Sequence, residues 1–110
     1  MDLFDNRYVM DFDEALHLVK YFFGKELPLF AIQEEYNKNN GYWGARYLHS
    51  GQSVFIGGDR GYLATKISVH DKTVSLSDFD PLMNEVKVAS EKNIRFTLEV
   101  IKRYITLNIL

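Results

Sequence analysis

The sequence predicts an α+β domain, an antiparallel sheet of three to four strands covered on one face by an N-terminal and a C-terminal amphipathic helix. Three observations predict it. Apolar residues recur at helical spacing near both ends of the chain, first Phe12, Ala15, Leu16, Val19, Phe22 and Phe23, then Ile94, Leu98, Ile101 and Ile105. The stretch between them alternates, is rich in aromatic and β-branched residues, and is broken by turn signals at Asn40-Gly41, Gly57–Gly61 and Asp71-Lys72. Finally, 110 residues with 2 Pro and no linker, repeat or low-complexity segment read as one domain, 1–110.

Each element has its own signal. Asp11 and Glu14 have capping-box spacing, which opens a helix over about Phe12–Phe23, and Gly24 supplies a left-handed stop. Leu27–Gly41 reads two ways. Pro28 can open a helix that pairs Glu34 with Lys38 one turn apart and ends at Gly41. Equally, Asn40-Gly41 is a strong hairpin signal that would join an extended Leu29–Tyr36 to Tyr42–Leu48. The polar run Gln33-Glu34-Glu35 favours the helix.

Tyr42–His49 alternates as a strand, and Ser53–Ile56 is a second apolar run. Three glycines in Gly57-Gly58-Asp59-Arg60-Gly61 read as a turn. Tyr62–Val69 and Thr73–Phe79 flank a hairpin closed by His70 opposite Thr73, with Val69 facing Val74 and Ile67 facing Leu76. Asp80-Pro81 leaves the sheet, and Leu82–Ala89 is a short helix or an extended connector. Ser90 caps the last helix, whose exposed side offers the ion pairs Glu91–Arg95 and Glu99–Arg103.

Composition excludes several classes. With no Cys there is no disulfide, thiol nucleophile or Cys-zinc site. No apolar run approaches the ~18 residues of a membrane span, and the amino terminus lacks the basic start and apolar core of a signal peptide, so a cytoplasmic protein is expected. Net charge is −2, spread as −4 over residues 1–41, +2 over 42–75 and zero over 76–110. No segment has the dense basic field of backbone-driven nucleic-acid binding. The acidic first third suits a basic partner.

The chemistry-bearing residues are scattered. His17, His49 and His70 form no metal-ligand motif. His17 reads as packed near the apolar face of the first helix. His49, beside Ser50-Gly51, is the one histidine suited to acid–base work, with Asp59 or Asp78 as its carboxylate. Gly57–Gly61 lacks the Gly-Lys-Ser/Thr of a phosphate loop. The acidic pairs Asp11/Asp13, Glu34/Glu35 and Asp78/Asp80 lack the third group of a catalytic metal cluster, so no metal and no cofactor is expected.

The aromatic fraction, 15%, exceeds what a small core needs and points to a binding surface. In Tyr42–His49, one strand face carries Tyr42, Gly44, Arg46 and Leu48, the other Trp43, Ala45, Tyr47 and His49. One face must meet the helices. Glu34, Glu35, Tyr42, Arg46, Asp59 and Arg60 are the expected partner-binding residues, with Arg46 the leading anchor.

Three features together resemble the small bacterial immunity proteins of contact-dependent growth inhibition. They are the opening helix Asp13-Glu14-Ala15-Leu16-His17-Leu18-Val19-Lys20-Tyr21-Phe22-Phe23, the central strands, and the closing Asn93-Ile94-Arg95-Phe96-Thr97-Leu98-Glu99-Val100-Ile101-Lys102-Arg103-Tyr104-Ile105. The resemblance is one of type and spans the whole chain. It implies a non-enzymatic cytoplasmic protein that binds a cognate protein toxin domain and blocks it. Two other readings stand beside it: an accessory subunit acting as a homodimer through a strand edge or aromatic face, and a small enzyme built on His49.

Overall fold

A computed structural model describes residues 3–38 and 40–108. The chain is α+β. Helix α1 (Phe12–Glu26) leads into five strands, β1 (Ala31–Lys38), β2 (Tyr42–His49), β3 (Gln52–Asp59), β4 (Tyr62–Val69) and β5 (Lys72–Val74). A single helical turn α2 (Leu76–Phe79), a 3-10 turn (Pro81–Glu85) and helix α3 (Glu91–Asn108) complete it. The sheet is an antiparallel meander in the order β1-β2-β3-β4-β5. Both long helices lie against one of its faces, and the core fills the space between.

The helix caps follow the sequence. The Asp11 carboxylate accepts from the Glu14 backbone N–H at 3.2 Å, and the Ser90 hydroxyl accepts from that of Asn93 at 3.2 Å. Ile94, Leu98, Ile101 and Ile105 of α3 are fully buried against Ala15, Val19 and Phe23 of α1 and the inner sheet residues Trp43, Val54, Ile56 and Ile67. Buried Asn93 pins the segment ahead of α1. Its side chain donates to the Asp5 and Val88 carbonyls, and its amide oxygen accepts from the Asp5 N–H.

Several expectations are corrected. The first helix continues three residues past Phe23, and Gly24 lies inside it; the end comes at Leu27, whose N–H bonds the Phe23 carbonyl. Residues 31–38 form strand β1, so the helix reading of 27–41 fails and the hairpin reading holds; Asn39 of that stretch lies outside the described residues. Ladder pairing with β2 overrides the helix preference of Gln33-Glu34-Glu35. Gly57 and Gly58 are strand residues, and only Arg60-Gly61 turns. The β4–β5 hairpin pairs Ile67 with Val74 and Val69 with Lys72, two residues from the expected register. A shift of two keeps every side chain on its face. His17 is exposed, its ring against the Asp13 carbonyl at 3.0 Å. Glu91–Arg95 forms at 2.9 Å, whereas the Arg103 guanidinium reaches Asp80 at 2.6 Å instead of Glu99. Asp80 also accepts from the Leu82 N–H, and the Arg103 bond, then that backbone bond, hold its carboxyl below the usual range.

Tyr47 shows how tightly the core closes. Its ring lies parallel to Phe23 at 3.9 Å, and its buried hydroxyl has no hydrogen-bond partner among the described residues. Burial, then the nearby Glu35 carboxylate, pushes the phenol up to about 12. A phenol harder to ionise folded than unfolded contributes stability that is complete below its ordinary value of 10 and is lost as pH rises toward 12. Thermal unfolding across that alkaline range is therefore expected to show a smaller loss for Tyr47→Phe than for the parent. At neutral pH, deleting an unpartnered buried hydroxyl leaves stability equal or higher.

Candidate functional site

The ladder registers place a defined set of side chains on the sheet face away from the helices. Glu34, Arg46, Phe55 and Lys66 stand side by side on β1 to β4. The neighbouring row is Tyr36, Gly44, Gly57 and Ala64, and beyond it Lys38, Tyr42, Asp59 and Tyr62. Leu48, Ser53 and Ser68 lie at the other end. Among the described residues no helix covers this face.

The glycines set its shape. A Cβ on Gly44 would lie 2.7 Å from the Phe55 ring and 2.9 Å from the Tyr36 hydroxyl. One on Gly57 would lie 2.9 Å from the Phe55 ring and 2.3 Å from the Trp43 carbonyl oxygen. Phe55 and Tyr36 therefore fold down onto bare backbone, and both glycines are buried beneath them. Arg46 sits over the Phe55 ring, its guanidinium carbon 5.2 Å from the centroid, and its Nε is 3.8 Å from the Glu34 carboxylate. Lys38 Nζ is 5.1 Å from the Tyr36 ring centroid. The result is a flat, partly exposed aromatic floor with cations laid on it and acids interleaved.

Of the six residues singled out in the sequence, Glu34, Tyr42, Arg46 and Asp59 share this face. Arg60 stands at its rim in the β3–β4 turn, its Nε donating to Asp59 at 2.9 Å; that bond, with the Asp59 charge, raises the guanidinium pKa. Glu35 does not join them. It pairs with Ala45 on the helix side, in a shallow cleft with Asp13, His17, Lys20 and Asn37. Adjacent strand residues point to opposite faces, so Glu34 and Glu35 separate once the segment is a strand. Phe55, Tyr36 and Lys66 were missed; Phe55 sat in a run read only as apolar, and Tyr36 in a segment open to both helix and strand, with helix favoured.

Trp43 and Tyr47 belong to the core, at 0% and 4% exposure. His49 lies on the helix side of the sheet, its ring 5.3 Å from that of Phe30. Asp59 is at the far end of the β2–β3 hairpin and on the other face, and Asp78 is in α2. The cavity at the His49 corner, about 420 Å³, has Asp71 as its acid. Among the described residues no three His, Asp or Glu side chains gather in a way that could hold a metal ion, and no helix is long and apolar enough to cross a membrane. Compared with models of protein families, with curated proteins and with solved structures, the chain matches none.

Proposed function

We propose that this chain is a stoichiometric inhibitor of the immunity type, which neutralises a cognate protein toxin domain by docking it on the open face of the sheet. The observation that carries the reading is that uncovered face, where Tyr36, Tyr42, Arg46, Phe55 and Tyr62 present the side-chain types that dominate protein-binding hot spots. Four eight-residue strands, β1 to β4, about 4.8 Å apart and about 26 Å long make a platform of the order of one partner's share of a standard interface. The Phe55 and Tyr36 rings are already held down over glycine, so these two lose little side-chain freedom on docking. Arg46 and Lys66 beside Glu34 and Asp59 give the face mixed charge, which selects a partner of complementary pattern rather than a uniformly acidic or basic one.

The test is capture of the partner from the native host, its identification by mass spectrometry, and titration of the purified pair. A 1:1 complex in which equimolar inhibitor abolishes the toxin's activity is expected. Arg46→Glu is expected to weaken it by at least about 30-fold while shifting the thermal midpoint little, because the residue is partly exposed. Glu35→Ala, on the other face, is expected to leave affinity unchanged. Recovery of the protein alone, or a complex that tolerates Arg46→Glu, refutes the reading.

A further inference from the structure

The two edges of the sheet are finished differently. On the β5 side, Lys72–Val74 pairs with Ile67–Val69. The start of β4 is met by the connector before α3, where Leu63 N–H bonds the Lys87 carbonyl, Ala89 N–H bonds the Gly61 carbonyl, and Tyr62 bridges Val88. Strand β1 has β2 on one side, and among the described residues no backbone hydrogen bond reaches its other edge. It is eight residues long, with a register irregularity between Ile32 and Glu34, and contains neither Pro nor Gly. All but Tyr36 are exposed, including Ile32 at 46%. The regular stretch beyond that irregularity, residues 34–38, is a ready template for another strand.

The charges along β1 say which strand. A two-fold antiparallel register that sets Tyr36 opposite the Tyr36 of a second copy places Glu34 opposite Lys38, Lys38 opposite Glu34, and Glu35 opposite Asn37. It is the one two-fold register that opposes Glu34 to Lys38. Centring on Glu34 or Glu35 would set a carboxylate against itself, which is destabilising. Glu34 and Lys38 already share the open face, since their partners across β2 are Arg46 and Tyr42. Both ion pairs therefore form on one side of the sheet. Tyr36 does not obstruct the edge, because its ring leans inward with its hydroxyl over Gly44.

We propose that the β1 edge is a self-association site, at which two copies of this chain pair antiparallel about Tyr36 and join their sheets into one. The open faces of the two copies then lie on the same side, so the pairing is independent of the inhibitor reading and leaves that face free. The occupant is a second copy rather than a foreign strand because the edge is complementary to itself.

Sedimentation equilibrium of the full chain over a dilution series tests this. A monomer–dimer equilibrium is expected. Lys38→Glu turns both cross-copy pairs into like charges and is expected to raise the dimer dissociation constant about tenfold. The double variant Glu34→Lys with Lys38→Glu restores opposite charges and is expected to bring the constant back to within about threefold of the parent. Circular dichroism confirms that each variant is folded. A chain that stays monomeric up to about 1 mM, a dimer indifferent to Lys38→Glu, or a double variant that fails to recover overturns the proposal. So does a β1 edge whose amides gain exchange protection only when a foreign protein is added.

Discussion

Gly57→Ala is expected to destabilise the protein by about 3 kcal/mol or more, lowering the thermal midpoint by more than about 10 °C for a domain of this size. The added methyl would fall 2.3 Å from the Trp43 carbonyl oxygen, an atom of the neighbouring strand's backbone that cannot rotate away. It would also meet the Phe55 ring at 2.9 Å and the Gly44 Cα at 3.0 Å. Strands β2 and β3 would have to separate at the middle of the sheet, where Gly44 opposes Gly57. Gly44→Ala is the instructive contrast. Its clashes are with the outer atoms of Phe55 and with the Tyr36 hydroxyl, which can swing outward. Calorimetry should find Gly44→Ala much the milder of the two, and equal losses would contradict the geometry. Because it lifts the two rings off the floor, Gly44→Ala should nonetheless weaken partner binding.

Trp43→Ala is expected to cost about 3–5 kcal/mol. The side chain is wholly buried and lies over Gly58, where a Cβ would come within 2.2 Å of the indole nitrogen. The tryptophan and the glycine facing it across the β2–β3 ladder are thus one packing unit. Trp43→Phe should cost less than half as much. The indole N–H has no hydrogen-bond partner among the described residues, so phenylalanine forfeits volume but no hydrogen bond. Denaturant titrations followed by circular dichroism measure both; this is the single tryptophan, so fluorescence would be lost with it. A Trp43→Phe loss equal to that of Trp43→Ala would mean that the indole nitrogen is satisfied after all.

Much of the fold was legible in the sequence because both helices and the aromatic strands carry strong local signals. Asp11, Ser90 and the isoleucine stripe of α3 act where periodicity and capping say they should. What failed was the reading of glycine and of an exposed edge. Gly57 and Gly58 looked like a turn because glycine frees the chain, yet here they make room for Phe55 and Trp43. Strand β1 looked helical because an edge strand exposed on both faces shows little alternation to detect. A clearer signal lay in spacing. Two-residue turns recur every ten residues, at Ser50-Gly51, Arg60-Gly61 and His70-Asp71, each with positive φ at both positions. Each follows a strand of eight, and Asn40-Gly41 sits one such step before them.

The candidate face was legible in part for the same reason. Tyr42, Arg46 and Asp59 follow from strand alternation once β2 and β3 are recognised. Phe55 does not. Its partial exposure depends on lying flat across two neighbouring strands, a property of the ladder register and not of its own neighbours in the chain.

The meander also bears on how the protein reaches its native state. Every ladder joins strands that are consecutive along the polypeptide, so each can zip up from its own tight bend without closing a long loop first. The distant encounter is between the two long helices, near opposite ends of the chain. Assembly should therefore run quickly for a β-rich protein, with the hairpins forming early and the docking of α3 on α1 arriving last.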